Sequence, residues 1–135
     1  MPAYATAHIT EIPTLVDPEL GSYEWKPVRH HFGIRSFGVN LNIASNPGDW
    51  VIEEHTEVED SATRHEELYL VTAGHAAFVV GGEEVAAPAG TFVFVPDPET
   101  PRGARAVEPG TTVLAIGAEP GKPFAVSEWE RKYLE

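Results

Sequence analysis

The chain has 135 residues, of which 42% are hydrophobic, and this length and composition suit a single domain with one apolar core. Its formal net charge of −12 repels phosphate backbones and anionic lipid, so we expect neither nucleic acid nor a membrane surface among its partners. Because the sequence contains no cysteine, disulfides and thiolate metal sites are excluded, and the cytoplasm is the expected compartment.

The N-terminal third predicts an arm followed by the first strand. Residues 1–23 are punctuated by proline and weakly patterned, which indicates an arm outside the core. The segment from Trp25 to Phe32 is predicted to be a strand. Within a strand, the neighbouring His30 and His31 point to opposite faces, so they are poorly placed to share one metal ion.

From residue 37 onward, short runs rich in Val, Phe, Thr and Ile alternate with closely spaced glycines and prolines, which is typical of all-β sandwiches and barrels. The first run, 37–43, alternates apolar and polar residues, and a turn separates it from the next strand. Residues 56–64 have no apolar period and predict an exposed loop. The later runs predict strands at 50–55, 66–72, 76–80, 84–86 and 91–95, a stiff loop at 96–101, and a hairpin made of 102–106 and 111–116.

The same pattern predicts the core and the end of the chain. The side chains expected to be mostly buried are Phe37, Val39, Leu41, Val71, Phe78, Phe92, Phe94 and Val113. Ser127 and Glu130 fit a capping box, which predicts a short C-terminal helix to about Leu134. We therefore expect one domain over 1–135 with a barrel core of about 37–117.

Two motif fragments carry a resemblance to a known family. Glu67 is followed by six residues and Gly74, and Gly90 is followed by five residues and Pro96, with a Gly-Gly hairpin between the fragments. In this spacing, residues 48–117 resemble the cupin superfamily, whose fold is a double-stranded β-helix or jelly-roll barrel. The resemblance implies that two strands project three histidines and one glutamate inward around a divalent metal ion.

The sequence departs from the cupin pattern at the histidines. The His-x-His of the first motif is absent, and the histidines nearest to it are His55 and His65. In the second motif the histidine position falls on Pro101, or on Arg102 if the loop has one extra residue. Arginine stays charged and cannot bind a metal ion.

A reduced metal site is one interpretation of these residues. The predicted ligands are His55, His65 and Glu67, with Glu57 or Glu53 as a further ligand, and the ion would be Zn, Ni, Mn or Fe. His65 and Glu67 are two residues apart on a predicted strand and therefore share a face. The alternative is that both histidines are solvated and flank the acidic loop.

The predicted ligand-binding residues are Arg102, Glu67, Tyr69 and Trp50. Because an unpaired buried carboxylate is costly, Arg102 is expected within a few ångströms of Glu67, where it does part of the work of a metal ion. Alternatively, Arg102 binds the carboxylate or phosphate of a ligand, or lies solvated at the rim. Trp50 would line the pocket mouth, with packing in the core as the other interpretation.

These observations favour a cupin that binds a small molecule of unknown identity, with or without a divalent metal. One alternative is a metal-dependent cupin enzyme, either a dioxygenase or an isomerase. Another is a regulatory or structural cupin whose barrel is closed by side chains. Small jelly rolls leave edge strands that need covering, so we also expect a homodimer with the N-terminal stretch and residues 25–32 at its interface.

Overall fold

The computed structural model describes residues 2–16, 23–58 and 64–134. The predicted arm and the predicted loop at 56–64 lie partly outside these ranges, at 1, 17–22 and 59–63. A 3-10 helix spans Ile9–Glu11, and the strands and α-helices of the described ranges are β1 (Leu15–Val16), β2 (Tyr23–Lys26), α1 (Val28–Phe32), β3 (Gly38–Ala44), β4 (Trp50–His55), β5 (Glu66–Ala73), β6 (His75–Val80), β7 (Glu83–Pro88), β8 (Phe92–Val95), β9 (Arg102–Ala106), β10 (Thr111–Ala118) and α2 (Glu128–Leu134).

The strands form two antiparallel sheets that face each other. The larger sheet has the order β1-β2-β3-β10-β5-β8, and the smaller sheet has the order β4-β9-β6-β7. Their inner faces supply one apolar core, which contains Ala44, Val51, Ile52, Tyr69, Val71, Ala76, Phe78, Ala87, Val95, Ala104, Ala106 and Val113. The predicted all-β jelly roll is confirmed.

Residues 102–106 and 111–116 do not form the hairpin predicted from the sequence. β9 pairs with β4 and β6, whereas β10 pairs with β3 and β5 in the other sheet. The turn over 107–110 therefore carries the chain from one sheet to the facing one. The hairpin prediction was wrong because a short glycine-containing turn fits both connections.

The segment predicted as a strand from Trp25 to Phe32 is a strand followed by a helix. β2 ends at Lys26, and α1 begins after Pro27, which has no N–H to continue the pairing. Gly33, with a φ of 68°, ends α1 in the left-handed conformation that glycine adopts easily. His30 and His31 therefore lie on a helix instead of a strand.

The predicted core was right on the central strands and wrong for three phenylalanines. Val39, Leu41, Val71, Phe78 and Val113 are buried as expected. Phe37, Phe92 and Phe94 are instead exposed by 39%, 63% and 55%. Since β8 is apolar at every position, alternation could not decide its inward face, and the structure turns Val93 and Val95 inward.

The predicted C-terminal helix is present as α2, and it is tied to α1. Glu130 Oε1 accepts a hydrogen bond of 2.9 Å from Arg29 Nε, and both side chains are nearly inaccessible. Trp129 of α2 meets Trp25 of β2 edge to face at 5.0 Å. Among the described residues, the helices are too short and too polar for any of them to cross a membrane.

Candidate functional site

Glu67 and Arg102 meet inside the barrel from opposite sheets. Glu67 is the second residue of β5 in the larger sheet, and Arg102 opens β9 in the smaller one. Arg102 Nη1 lies 2.9 Å from Glu67 Oε1, and the arginine side chain is fully buried. The expectation that these two residues lie within a few ångströms of each other is confirmed.

The loop over 96–101 holds the rest of the guanidinium. Arg102 Nε donates to the carbonyl oxygen of Thr100 at 2.9 Å, and Nη2 donates to that of Asp97 at 3.0 Å. Each nitrogen of the group therefore has a partner within the chain. The same loop positions Glu57, whose backbone N–H donates to the carbonyl of Pro98 at 2.8 Å.

Glu67 receives hydrogen bonds from several sides. Its Oε1 accepts from Arg102 and from the hydroxyl of Tyr69, which shares the inner face of β5. Burial alone would raise the pKa of Glu67, but hydrogen bonds from His55 and Tyr69 and nearby positive charge hold it below its usual range. Burial and the negative charge of Glu67 raise the pKa of Tyr69 well above its ordinary value.

A glycine on β10 makes room for this carboxylate. A Cβ atom built on Gly117 would lie 3.1 Å from Glu67 Cγ and 3.0 Å from the backbone oxygen of Glu66. Gly117 is the residue that pairs with Glu67 across the sheet. A larger residue there would displace the Glu67 side chain or part the two strands.

His55 and Glu57 form the accessible side of the site. His55 Nδ1 lies 2.7 Å from the carbonyl of Glu53, so it donates there and Nε2 faces the carboxylates. Nε2 is 3.4 Å from Glu67 Oε1 and 3.6 Å from Glu57 Oε2. Burial lowers the pKa of His55, but the hydrogen bond and charge of Glu67, with the charge of Glu57, outweigh burial and raise it to about 9. Burial and the charge of Glu67 raise the pKa of Glu57 to about 8.

The chemistry of this cluster fits a divalent cation. Within the described residues, His55, Glu57 and Glu67 each bring a potential ligand atom within 4.8 Å of the others. An ion bound tetrahedrally at about 2.1 Å separates its ligand atoms by about 3.4 Å, which matches the spacing around His55 Nε2. One imidazole and two carboxylates suit Zn, Mn or Fe. The Arg102 guanidinium beside Glu67 competes with such an ion for the carboxylate.

Two residues of the predicted site lie elsewhere. His65, a predicted metal ligand, is buried with its ring stacked on Phe124 at 5.5 Å, and Glu57 stands in the cluster where His65 was expected. Trp50, a predicted ligand contact, lies on the outer face of the smaller sheet under the guanidinium of Arg105, 3.8 Å from the ring centre. There it lines a groove of about 530 Å³.

Sequence reasoning did not identify the loop carbonyls that hold Arg102 or the glycine beside Glu67. The carbonyls have no residue-type signature, since any residue of the loop could offer one. The prolines at 96, 98 and 101 were the available signal, because they stiffen the loop and let it fix an arginine.

Comparison with known proteins identifies the fold. No protein-family model and no curated protein sequence matches the chain. Among solved structures, a cupin protein from Bacteroides fragilis is 16% identical, with a TM-score of 0.66 over 94% of this chain and 93% of that one. A sugar phosphate isomerase from a cupin superfamily, from Silicibacter pomeroyi, is 18% identical, with a TM-score of 0.67 over 84% and 74%.

A third structure is similar at the same level. It is a predicted oxalate decarboxylase from Thermotoga maritima, which is 17% identical, with a TM-score of 0.66 over 84% of this chain and 97% of that one. Identities this low establish the architecture and leave the chemistry to the residues of the site. The chain therefore has the cupin fold, which confirms the resemblance drawn from its sequence.

Proposed function

We propose that the barrel binds a small anionic molecule at its open end, where His55 and Glu57 make the contact. The observation that carries the proposal is the gradient of exposure through the cluster. Arg102 and Tyr69 are fully buried, the Glu67 side chain is 14% exposed, and those of Glu57 and His55 are 18% and 27% exposed. A ligand entering the barrel would therefore contact Glu57 and His55 first. The buried side chains of Arg102 and Tyr69 close the barrel beneath them.

The charge of the cluster favours an anion. At neutral pH Arg102 and His55 are both positive, Glu67 is negative, and Glu57 retains its proton because its pKa is about 8. One positive charge is therefore uncompensated inside a chain of net charge −12. The His55 Nε2 proton and the Glu57 hydroxyl can both donate to a carboxylate or phosphate oxygen.

Two of the similar structures carry names that agree with this class of ligand. One is named for sugar phosphates and the other for oxalate, so both names point to small, oxygen-rich anions. Under this proposal Arg102 acts by holding Glu67, and the ligand binds without contacting the guanidinium. Tyr69 likewise orients Glu67, through the hydrogen bond that its hydroxyl donates to the carboxylate.

Thermal shift and calorimetric titration with oxalate, inorganic phosphate and a hexose phosphate test the proposal. We expect at least one of them to raise Tm and to bind more weakly above about pH 9, where His55 loses its proton. His55→Gln should remove the binding, and His75→Gln, in the groove on the outer face of the smaller sheet, should preserve it. If none of the three anions binds, the barrel is closed and a regulatory or structural role replaces this proposal.

A divalent metal is the second candidate, because the ligand atoms have the right spacing. The ion would bind His55, Glu57 and Glu67 and would supply a Lewis acid to a cupin-type dioxygenase or isomerase. Metal binding must release the protons of His55 and Glu57, so metal affinity should rise from pH 7 to 9 while anion affinity falls. Elemental analysis after dialysis against Zn, Ni, Mn or Fe distinguishes the two, and substoichiometric metal at both pH values excludes this candidate.

A further inference from the structure

Asn40 of β3 places a carboxamide inside the barrel. Across the larger sheet Asn40 lies opposite Ala115 of β10, and Ala115 lies opposite Tyr69 of β5. Residues directly opposite each other in antiparallel strands point to the same face, and Tyr69 faces the core. The Asn40 side chain therefore points into the barrel, whereas Val39 and Leu41 on either side of it point to the other face.

One end of this carboxamide is buried without a hydrogen bond. Asn40 is half-buried as a residue, yet its Oδ1 is inaccessible and has no hydrogen-bond partner in the part of the chain that the structure describes. A carboxamide accepts through its oxygen and donates through its nitrogen, and a buried polar atom without a bond destabilises the folded state. A polar group that enters the barrel and bonds to Asn40 would remove this penalty.

Space inside the barrel adjoins Asn40. Its neighbour Ala115 points inward from β10, which lies between two other strands of its sheet, yet Ala115 is only half-buried. Val113, on the same face and two residues farther from the end that holds Glu67, is fully buried. The surface of Ala115 is therefore reached from inside the barrel, in the interval between Asn40 on β3 and Tyr69 on β5.

The C-terminal segment covers the barrel end next to Asn40. The ring of Phe124 lies 3.5 Å from the place that a Cβ atom on Gly38 would take, and it stacks on His65 at 5.5 Å. Gly38 shares the inner face of β3 with Asn40, two residues away. Because Phe124 covers this side, the space beside Asn40 is entered from the side of the barrel end where His55 lies.

We propose that Asn40 selects ligands that carry a hydroxyl group besides their anionic group, an inference that rests on the anion binding proposed for His55 and Glu57. An ionised carboxylate only accepts hydrogen bonds, so it suits the protons of His55 and Glu57 and is repelled by Asn40 Oδ1. A hydroxyl group donates to Oδ1. The ligand class is thus small molecules with an anionic group and a hydroxyl a few bonds away, such as hydroxy acids and sugar phosphates.

The separation of the two contacts suits molecules of this size. Neighbouring strands lie about 4.8 Å apart, so Asn40 and Tyr69, two strands apart, are separated by about 10 Å at the backbone. Side chains from both strands point into this interval and shorten it to the length of a few carbon atoms. On the far side His55 approaches Glu67, two residues from Tyr69 on β5, from the facing sheet.

Calorimetric titration of the parent with matched ligands tests the inference. Succinate, malate and tartrate are dicarboxylates of equal chain length with no, one and two hydroxyl groups, and propyl phosphate and glycerol phosphate form a second matched series. We expect the hydroxylated members to bind about fivefold more tightly than their hydroxyl-free counterparts, the effect of one added hydrogen bond. The series that binds more tightly shows whether the anionic group is a carboxylate or a phosphate.

Substitution of Asn40 should separate a selecting role from a structural one. Asn40→Leu should remove the preference for hydroxylated ligands and leave the hydroxyl-free ligands bound as in the parent. It should also keep or raise the Tm of the ligand-free protein, because an apolar side chain of similar size replaces a buried atom without a hydrogen bond. Asn40→Ala should have the same effect on the preference and serves where leucine does not pack.

The matched control is Asn46→Leu, in the exposed turn after β3, which should keep the preference. If the parent binds hydroxylated and hydroxyl-free anions equally, or if both Asn40 variants keep the preference, anion binding stands and the role assigned to Asn40 is wrong. If the parent binds no member of either series, the anion proposal fails and the role of Asn40 fails with it.

Discussion

The Arg102 guanidinium lies inside the barrel, 2.9 Å from Glu67, and neutralises that carboxylate there. Its bonds to the 96–101 loop leave little freedom to turn toward a ligand. At the scale of single residues, the site is thus a fixed pair, Arg102 and Glu67, beside His55 and Glu57, whose pKa values are both raised.

Replacing the arginine by a metal ligand should restore metal binding. In Arg102→His the competing cation beside Glu67 is lost and an imidazole takes its place, so we expect affinity for zinc or nickel to rise at least about tenfold. Competition calorimetry at one pH measures the change. Arg105→His is the matched control, because Arg105 lies outside the barrel against Trp50. Equal affinities for the parent and Arg102→His would show that position 102 is not part of the site.

The stability of the metal-free protein should peak near pH 5 and decline toward pH 9. The stability that His55 contributes is fully present below about 6.5 and is lost as the pH rises through its folded pKa of about 9. Glu57, whose folded pKa of about 8 exceeds its ordinary value of 4.5, adds a penalty that grows across that interval. Below pH 4.5, protonation of Glu67, whose pKa is lowered, removes stability again.

We expect the decline from pH 5 to pH 9 to total about 3 kcal/mol, because the coupled groups share their effect. Urea denaturation at each pH measures it. Glu57→Gln should flatten the slope, and Glu53→Gln, an exposed change on β4, should leave it as in the parent. Stability that rises over this interval would contradict the protonation states assigned to the site.

At the scale of elements, the strands were largely predictable from sequence and their partners were not. The alternation of β3 identified Val39 and Leu41 as buried, because polar residues separate them. β8 has no polar position, so its inward face depended on the register with β5, which the sequence does not record. The same limit explains the wrong hairpin, since pairing depends on which sheet each strand joins.

The candidate site shows a similar division. The motif spacing predicted that Glu67 and Arg102, which are 35 residues apart, lie close together. The strand alternation predicted that Tyr69 lies on the same face as Glu67. Glu57 lies beyond the end of β4, where no periodicity applies, and its position comes from a bond to the 96–101 loop. His65 shares the strand parity of Glu67, but its ring packs on Phe124, a contact over 59 residues that no local pattern records.

Gly74, the glycine that ends the first motif, lies at the corner between β5 and β6. The packing at this corner explains why the residue is a glycine. Gly74 has a φ of 74°, and a Cβ there would lie 2.5 Å from Thr111 Oγ1. The Thr111 hydroxyl in turn donates to the carbonyl of His75 at 3.1 Å, which joins this corner to β10. Because Gly74 has no side chain, the corner between β5 and β6 can therefore pack closely against β10.

Gly74→Ala should destabilise the protein more than the same change at Gly48. Both glycines have positive φ, so alanine strains the backbone by about 1–2 kcal/mol at either position. At Gly48 nothing lies within 4 Å of the added Cβ, whereas at Gly74 the clash with Thr111 should add about 1–3 kcal/mol. Urea denaturation of the two variants measures the difference. Equal losses in the free energy of unfolding would mean that the corner between β5 and β6 has room for a Cβ atom.

At the scale of the whole molecule, the jelly roll works by bringing residues of two sheets to one end of the barrel. The chain is strongly acidic, yet the site retains one positive charge, because two basic side chains surround a single ionised carboxylate at neutral pH. The larger sheet is covered at one edge by the chain's own arm, where β1 pairs with β2 and Lys26 Nζ donates to the carbonyl of Ile12.

A double-mutant cycle on the free energy of unfolding tests the central claim, that Arg102 and Glu67 form an internal ion pair. Arg102→Met, Glu67→Gln and the double variant are compared with the parent by urea denaturation in EDTA. Each single change should cost about 3–5 kcal/mol, and the coupling energy should be about 2–3 kcal/mol. The control cycle uses the exposed pair Arg64 and Glu99, 4.0 Å apart, whose coupling should stay below about 0.5 kcal/mol. A coupling between Arg102 and Glu67 as small as that of the surface pair would contradict the account.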